Sequence, residues 1–390
     1  MDDVVVVGAR CAGAATAMLL ARMGHDVVMV DKARLPSDTL STHGLIRGGV
    51  VQLSRWGLLD RVLASGAPAV TQVLFDREGE TKVRRIKPRA GVDLLVAPRR
   101  QVLDSLLADA AQESGATLRT GVTATDLLRS DDGRVTGIVG RSANGDRVEF
   151  PARIVVGADG RRSRMAEHFG AETLEQFTSP SAAFYTYVTG LAPDTYEFHL
   201  APDVFAGVFP TNDGEACVWL IRPTSLLEPI STAGARRTAA FVDQLELLVP
   251  NLGHRVRTDR ITAPLRGAAE LPNFRRQSHG PGWALVGDAG HHRDPITGHG
   301  ITDAFRDAEL LATAIDHSLR DATVEPAAMA SYQEIRDAMA GEVFDLTRAL
   351  TGFPPPERFV ELQIQLSEAL EYEADQLASF PGREAVSHAA

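Results

Sequence analysis

Apolar residues at the start of the chain fall into two short continuous runs with a helical stretch between them. Residues 4–7 are four valines closed by Gly8, a pattern typical of a parallel strand buried on both faces. Residues 14–23 are rich in Ala and Leu and end at Gly24, which predicts a helix with a C-terminal glycine. The segment HDVVMVD predicts a second buried strand that ends at Asp31. Together these elements predict a βαβ unit.

The rest of the chain repeats this alternation of predicted strands and helices, except for a strand-rich stretch in the middle. Residues 100–114 carry apolar side chains at the spacing of one helix face, and strand-like runs follow, including ARIVVGADG. From about 176 to 264 the pattern indicates strands rich in Phe and Tyr, with TNDG as a hairpin turn. The segment WALVGDAG restores the apolar strand, residues 301–314 predict its helix, and the tail from about 325 is helical.

This order predicts a fold of the α/β class, in which a Rossmann-like nucleotide-binding domain carries an inserted β-sheet domain and a helical C-terminal tail. The predicted bounds are 1–75, 96–175 and 265–325 for the nucleotide domain, 76–95 and 176–264 for the β-rich domain, and 326–390 for the tail. We expect the β-rich domain to select the substrate.

Composition narrows the class of partner. The 390 residues carry a formal net charge of −11, which argues against a nucleic-acid surface because phosphate binding needs clustered Lys and Arg. Cys11 and Cys217 are the only cysteines and form no metal-ligand spacing, which fits a reducing compartment. The N-terminus lacks the basic start of a signal peptide, and apolar runs stop well short of about 18 residues. We expect a cytoplasmic protein with a small-molecule substrate and no membrane partner, as a monomer or homodimer.

The loop GARCAG, between the first strand and the first helix, is close to a dinucleotide-binding fingerprint. That fingerprint uses one glycine for a tight turn, a second for close approach to a pyrophosphate, and a third for helix packing. Gly8 and Gly13 fill the first and third places, whereas Arg10 occupies the second. Alone, the loop is also compatible with an ordinary strand, turn and helix. Asp31 favours nucleotide binding, because a carboxylate at that strand end accepts hydrogen bonds from an adenosine ribose.

Two further glycine motifs follow buried strands. Asp159, followed by a glycine, ends the strand ARIVVGADG, although Asp-Gly also suits a simple turn. Farther on, Gly287 and Asp288 end a strand, and Gly298 and Gly300 precede a helix. An Asp at a strand end binds sugar hydroxyls, and a glycine-rich helix N-terminus offers N–H groups to an anion. These properties suit a flavin, which has a ribityl chain and a ring that becomes negative on reduction.

In this order and spacing, the GARCAG loop, Arg100, the Asp159 motif and the Asp288 motif resemble the single-component FAD-dependent monooxygenases of the p-hydroxybenzoate hydroxylase type, over residues 1–320. The wider superfamily includes isoprenoid reductases and flavin halogenases. The resemblance implies FAD as cofactor and NAD(P)H as electron donor. It assigns to FAD the residues Gly8, Arg10, Cys11, Ala12, Gly13, Asp31, Lys32, Arg47, Arg100, Asp159, Gly287, Asp288, Pro295, Gly298, His299, Gly300 and Ile301.

The resemblance also assigns parts of the cofactor. The opening loop and Asp31 would hold the ADP half, and Asp288 the ribityl chain. Pro295 would lie against the isoalloxazine, with the backbone of residues 298–300 near its pyrimidine edge. The Asp159 motif would touch both FAD and the nicotinamide nucleotide. We predict that the Arg10 side chain turns off the phosphate path, toward FAD or the substrate side of the cleft.

The resemblance implies hydroxylation of an aromatic or polyketide-like molecule by molecular oxygen through a C4a-hydroperoxyflavin. DPITGHGI also resembles FAD-dependent reductases that saturate isoprenoid-type double bonds. A flavin-binding carrier without turnover stays open as well, because no single residue is an obligatory catalyst. A halogenase is disfavoured because VWLIRP contains only one of the two tryptophans of the WxWxIP motif.

Several side chains are candidates for the reaction itself. The candidate catalytic residues are His43, Pro295, Gly298 and Gly300, and the candidate substrate-pocket residues are Tyr185, Tyr187 and Phe209. His43 suits a structural role equally well, and alternation along strands turns about half of the aromatic side chains elsewhere. We predict no metal site, because the cluster His291, His292 and Asp294 lacks further ligands.

Overall fold

The structure is a computed structural model that describes residues 1–191 and 194–380. Its strands are β1 (Asp2–Val7), β2 (Val27–Asp31), β3 (Gln72–Arg77), β4 (Glu80–Arg85), β5 (Thr117–Thr120), β6 (Val122–Arg129), β7 (Val135–Ser142), β8 (Arg147–Gly157), β9 (Thr173–Thr178), β10 (Ser181–Thr189), β11 (Thr195–Ala201), β12 (Val204–Pro210), β13 (Glu215–Pro223), β14 (Arg266–Ala269), β15 (Pro272–Arg276), β16 (His279–Gly280), β17 (Trp283–Leu285) and β18 (His291–His292). Its helices are α1 (Cys11–Arg22), α2 (Arg47–Arg55), α3 (Leu59–Ala64), α4 (Arg100–Glu113), α5 (Arg164–Phe169), α6 (Glu228–Ser231), α7 (Arg237–Leu248), α8 (Pro250–Gly253), α9 (Gly300–Arg320), α10 (Glu325–Thr351) and α11 (Pro356–Ser379).

The first sheet confirms the predicted βαβ start. Its strands follow the order β16, β17, β8, β1, β2, β5, and β1 pairs in parallel with both β2 and β8. The β1 valines are buried because α1, α4 and α9 cover one face of the sheet while β6 and β7 cover the other. The carboxyl ends of β1, β2, β8 and β17 therefore lie along one edge, where doubly wound sheets bind ligands.

A second sheet of seven strands forms the β-rich region, in the order β14, β10, β13, β12, β11, β3, β4. TNDG forms the predicted turn between β12 and β13, with Asp213 and Gly214 at positive φ. The domain bounds stay a prediction, but two strands of this sheet cross them: β3 spans the bound at 75 and 76, and β14 lies beyond 264.

The expectation of strands throughout residues 176–264 is wrong for residues 228–253, which form α6, α7 and α8. Helix α7 buries Phe241, Val242 and Leu245, which follow helical rather than alternating spacing. These side chains pack with Phe184 of β10 on one face of the second sheet. The helices therefore cover the face opposite the one that carries Tyr185 and Tyr187.

The predicted helical tail is confirmed within the described residues by α10 and α11; residues 381–390 of the predicted tail lie outside them. Helix α11 packs against α2 and α10, and its apolar side chains join the core on the Tyr185 face of the second sheet. Among residues 1–191 and 194–380, helices that combine the length and the apolarity needed to cross a membrane are absent.

Candidate flavin and active site

The GARCAG loop, the Asp159 motif and the Asp288 motif lie in close contact at the edge of the first sheet. A Cβ on Gly8 would lie 2.4 Å from the carbonyl oxygen of Ala158, next to Asp159. A Cβ on Gly13 would lie 1.8 Å from the carbonyl oxygen of Gly8, and one on Gly287 would lie 2.8 Å from the Cβ of Ala12. Glycine is required at these contacts because real Cβ atoms do not approach so closely. The GARCAG loop therefore touches both other motifs.

The N-terminus of α1 offers unused hydrogen-bond donors at this edge. The first intrahelical bond runs from the Ala14 N–H to the Arg10 carbonyl, and no acceptor among residues 1–191 and 194–380 takes the N–H groups of residues 11–13. Asp31 accepts the N–H groups of Ala9 and Ala33, both at 2.8 Å, one on each carboxylate oxygen. Each oxygen keeps a further lone pair for a ribose hydroxyl. Lys32, the next residue, is exposed.

Arg10 fits the middle position of the loop without backbone strain. Its φ and ψ angles, −97° and −166°, are extended and open to any residue, so a glycine is not required there. Its guanidinium donates to Asp104 of α4 at 2.9 Å and to the Ser37 hydroxyl at 3.0 Å. The side chain is thus directed to α4 and the loop after β2 rather than back onto the first turn of α1.

Asp104 is a fully buried carboxylate that the sequence pattern did not single out. Besides Arg10, it accepts from the guanidinium of Arg100 at 2.9 Å and from the Cys11 thiol at 3.2 Å. Burial alone would lower the pKa of Arg100, but Asp104 and Asp288 raise it above its usual value. The signal for Asp104 was an acid four residues after Arg100 on one helix, which is the spacing of a facing pair.

Asp288 is a second acidic group at this edge with spare hydrogen-bonding capacity. It lies half-buried directly after Gly287, close enough to Arg100 and Arg161 to influence the pKa of both. Within the described part of the chain no group donates a hydrogen bond to its carboxylate. The carboxylate can therefore accept hydrogen bonds from a ligand without losing bonds of its own.

Asp159 is used differently from Asp288. Its carboxylate accepts from the Ser163 hydroxyl at 2.5 Å and from the N–H groups of Arg164 and Met165 at 2.8 and 3.1 Å. These bonds hold the turn that leads into α5. The structure thus favours the simple-turn interpretation for the Asp159 side chain, while its role toward FAD and the nicotinamide nucleotide stays a prediction.

The loop before α9 presents open backbone to the same side of the fold. Pro295 lies in a short 3-10 turn that is capped by Asp294, whose carboxylate accepts the Ile296 N–H at 3.0 Å. Gly298 ends the turn at φ 62°, and a Cβ there would meet no atom of the described residues within 4 Å apart from its own chain neighbours. A Cβ on Gly300 would likewise meet none beyond its neighbours and the backbone of its own helix. This open space fits the flat edge of a ring. Ile301, in the first turn of α9, is buried.

A buried ionic network underlies this loop. His299 Nε2 lies 2.5 Å from Glu373 of α11, and Arg306 of α9 donates at 2.8 Å to both Glu373 and Asp303. Asp303 also pairs with Arg293 at 2.5 Å. Burial alone would raise the pKa of Glu373, but His299 and Arg306 hold it below its usual value.

Three side chains of this network are spaced as the ligands of a metal ion would be. Ligand atoms of His299, Asp303 and Glu373 lie within 4.8 Å of one another. The arginines already pair with both carboxylates, so we assign the trio to ion pairing. Sequence reasoning missed Glu373 because a partner 74 residues from His299 leaves no local pattern.

His43 and the predicted pocket residues lie together on one face of the second sheet. His43 is buried at φ 65°, its Nε2 hydrogen-bonds to the Tyr187 hydroxyl, and its ring stacks on Tyr187 with centroids 5.5 Å apart. The Arg99 guanidinium covers the Tyr187 ring at 3.6 Å. Burial, aided by the charges of Arg100 and Arg99, lowers the pKa of His43 well below its usual value, and burial raises that of Tyr187.

The other pocket candidates adjoin this pair. The Tyr185 hydroxyl accepts the Ser41 N–H at 3.1 Å, and Phe209 lies against Gly44, so the loop that carries His43 rests on the sheet. Arg47 is directed elsewhere: it donates to Glu371 of α11 at 2.9 Å and to the Val92 carbonyl at 2.7 Å. The structure therefore brings His43, Tyr185, Tyr187 and Phe209 together but uses Arg47 to anchor the tail.

Comparison with known proteins identifies the family of the chain. A family model described as FAD binding domain matches residues 1–347. The chain belongs to that FAD-binding family. A digeranylgeranylglycerophospholipid reductase of Methanocella arvoryzae is 28% identical over 349 residues, which are 86% of this chain and 83% of that protein. Squalene epoxidase of Schizosaccharomyces pombe is 25% identical over 321 residues, 81% of this chain and 69% of that protein.

A solved structure shares the fold of this FAD-binding family member. PqsL of Pseudomonas aeruginosa, described as a probable FAD-dependent monooxygenase, superposes with a TM-score of 0.79 at 22% identity, covering 93% of this chain and 99% of that one. Family and relatives together identify the chain as an FAD-dependent oxidoreductase.

The residues present fit FAD on chemical grounds. Free N–H groups at α1 and the glycine contacts suit a pyrophosphate, Asp31 and Asp288 suit sugar and ribityl hydroxyls, and the open backbone of residues 298–300 suits the ring. His43, Tyr187 and Arg99 then lie beside the arginine that the resemblance assigns to FAD, Arg100.

Proposed function

We propose that the chain is an NAD(P)H-consuming FAD monooxygenase that hydroxylates an aromatic or polyketide-like small molecule. The observation that carries the proposal is the buried pair of His43 and Tyr187, beside Arg100 and on an aromatic sheet face. Bound FAD would take electrons from NAD(P)H and activate molecular oxygen. In balance, substrate, oxygen, NAD(P)H and a proton give hydroxylated substrate, water and NAD(P)⁺.

In this proposal, His43 and Tyr187 transfer the proton of the substrate. Hydroxylation of a phenol is faster once the phenol proton is removed, and a neutral His43 beside a protonated Tyr187 can accept and return a proton. The Arg99 charge over the Tyr187 ring stabilises any phenolate formed there. Burial of the pair excludes water from the reacting face.

Oxygen labelling tests the proposed reaction. The purified, FAD-loaded protein is given NADH or NADPH and a panel of phenolic and polyketide-type compounds under ¹⁸O₂. We expect one substrate to accelerate NAD(P)H oxidation and to gain one ¹⁸O atom for each NAD(P)H consumed. A product formed without ¹⁸O, or at full rate without oxygen, would refute monooxygenation.

Reduction of an isoprenoid-type double bond is the second candidate. It is favoured by the Methanocella arvoryzae relative, which is named a reductase and covers most of this chain. The same pair would then supply the proton that accompanies hydride transfer to the double bond. Anaerobic NAD(P)H oxidation with saturation of a geranylgeranyl probe would favour this candidate. A carrier without turnover is disfavoured because relatives that cover most of this chain are named as enzymes, a reductase and an epoxidase.

Removal of one hydroxyl tests the proton pair. We expect Tyr187→Phe to lower the rate of substrate oxidation by about 100-fold, because general acid–base catalysis contributes about 10²- to 10⁴-fold. FAD affinity and the rate of flavin reduction should stay unchanged, as measured by stopped-flow absorbance.

The matched control is Tyr196→Phe, which removes another hydroxyl from the same buried aromatic cluster but not the one bonded to His43. Equal losses in both variants would mean that Tyr187 acts through packing. The pH profile separates the roles further, since only loss of a proton relay should change its shape.

A further inference from the structure

We propose that Arg10 is a cofactor-retention residue, whose side chain closes the pyrophosphate loop over bound FAD and slows its release. The consensus of the dinucleotide fingerprint has a glycine at this position, so the role belongs to this loop's own sequence. The proposal rests on FAD binding alone and goes beyond the proposed reaction, since it holds for a monooxygenase or a reductase.

The guanidinium joins segments that flank the nucleotide crevice. Nη1 donates to Asp104 at 2.9 Å and to the Ser37 carbonyl at 3.3 Å, while Nη2 donates to the Ser37 hydroxyl at 3.0 Å. Arg10 leaves the end of β1, and Ser37 lies in the loop that leaves the neighbouring strand β2. In doubly wound sheets, nucleotides lie outside the carboxyl ends of the strands, between such loops. A bridge between these two loops therefore spans the crevice.

Asp104 anchors the bridge from the protein interior. It is fully buried, and its two oxygens together receive Arg10, Arg100 and the Cys11 thiol. Arg10 is itself partly open, with 27% of its side chain exposed, so it can contact a ligand in the crevice. Because Asp104 is fixed in the interior, it holds the Arg10 guanidinium in place before FAD binds, while the exposed part of the guanidinium stays accessible to the cofactor.

The charges favour a pyrophosphate. Two guanidiniums, Arg10 and Arg100, share the single carboxylate of Asp104, so this carboxylate cannot neutralise both of them. Arg10 itself precedes the first turn of α1, at the positive end of the helix dipole. FAD's pyrophosphate carries two negative charges, and guanidinium forks bind such oxygens strongly. A glycine at position 10 would supply neither the charge nor the bridge.

The test measures FAD release from the holoprotein. After dilution, the return of flavin fluorescence reports the dissociation rate for wild type, Arg10→Met, Arg10→Lys and Ser37→Ala. Methionine keeps an unbranched apolar stem and removes the charge. We expect Arg10→Met to release FAD about tenfold faster or more, because charge-assisted hydrogen bonds are lost. Arg10→Lys and Ser37→Ala should fall between Arg10→Met and wild type.

Salt and a matched control complete the test. Raising NaCl from about 50 to about 500 mM should speed release from wild type much more than from Arg10→Met, since screening acts on the charge. Arg61→Met, which removes the exposed pair with Glu113, should release FAD at the wild-type rate. An unchanged rate and salt response in both Arg10→Met and Arg10→Lys, or slower release from Arg10→Met than from wild type, would overturn the proposal. Failure of the proposed reaction would leave these rates unaffected.

Discussion

Gly13→Ala should purify as a protein that lacks FAD. The new Cβ would lie 1.8 Å from the Gly8 carbonyl oxygen, so the first turn of α1 must move away from β1. That shift displaces the free N–H donors of residues 11–13, and the loss of two such bonds to a charged pyrophosphate is worth about 100-fold or more in affinity. Fluorescence titration with FAD measures the affinity.

A matched alanine substitution separates binding from folding. Gly341 lies inside α10, and outside that helix's own backbone its added Cβ would meet, among the described residues, only the Arg275 guanidinium at 3.8 Å. Gly341→Ala should keep FAD and gain up to ~1 kcal/mol of stability from helix propensity. Overpacking at Gly13 should cost about 1–3 kcal/mol in the unfolding free energy, measured by urea denaturation of both apoproteins. Wild-type FAD affinity in Gly13→Ala would show that this loop does not hold the cofactor.

Asp288→Ala should weaken FAD binding by about 10- to 100-fold, while the apoprotein loses no hydrogen bond within the described residues and only the charge attraction to Arg100 and Arg161. The carboxylate takes part in no hydrogen bond with the described residues, so its removal leaves no protein donor without a partner. Loss of the hydrogen bonds to ribityl hydroxyls accounts for the expected weakening. Equilibrium dialysis with FAD gives the affinity, and thermal unfolding without FAD gives the stability.

Asp159→Ala is the comparison variant, since it removes a carboxylate from the end of a neighbouring strand. Its three hydrogen bonds hold the turn into α5, so this variant should lose about 1 kcal/mol of apoprotein stability. The expected results are thus opposite in kind: lost affinity for Asp288 and lost stability for Asp159. If FAD affinity is unchanged in Asp288→Ala, the ribityl assignment is wrong.

Local patterns were enough to predict the nucleotide domain. Four consecutive valines and the glycines at positions 8 and 13 determine a strand, a turn and a helix within a few residues of one another. The structure adds the reason for each glycine, since a Cβ at either position would clash with a backbone carbonyl oxygen. The TNDG turn was equally local, because positive φ at Asp213 and Gly214 depends on the turn itself.

Contacts between distant segments were beyond the same reasoning. Helix α7 was missed although Phe241, Val242 and Leu245 follow helical spacing, because strand-like sequence on both sides led to one prediction for the whole stretch. The direction of Arg10 depends on Asp104, 94 residues away, and the burial of His43 depends on Tyr187, 144 residues away. Such pairs depend on how distant elements pack against one another, and the residue pattern within a single element does not predict that packing.

The ion pair between His299 and Glu373 has a consequence for where this protein can be cut. The family pattern ends at residue 347, yet Glu373 lies beyond that limit and neutralises part of a fully buried guanidinium, Arg306, directly beneath the loop before α9. A truncated protein that stops at the family limit would lack the Glu373 carboxylate, so the buried Arg306 guanidinium would keep only Asp307 and an Asp303 that it shares with Arg293 as carboxylate partners. The segment that the family model matches is therefore shorter than the segment that completes this buried network. We expect fragments or chimaeras of this enzyme to need its own helix α11.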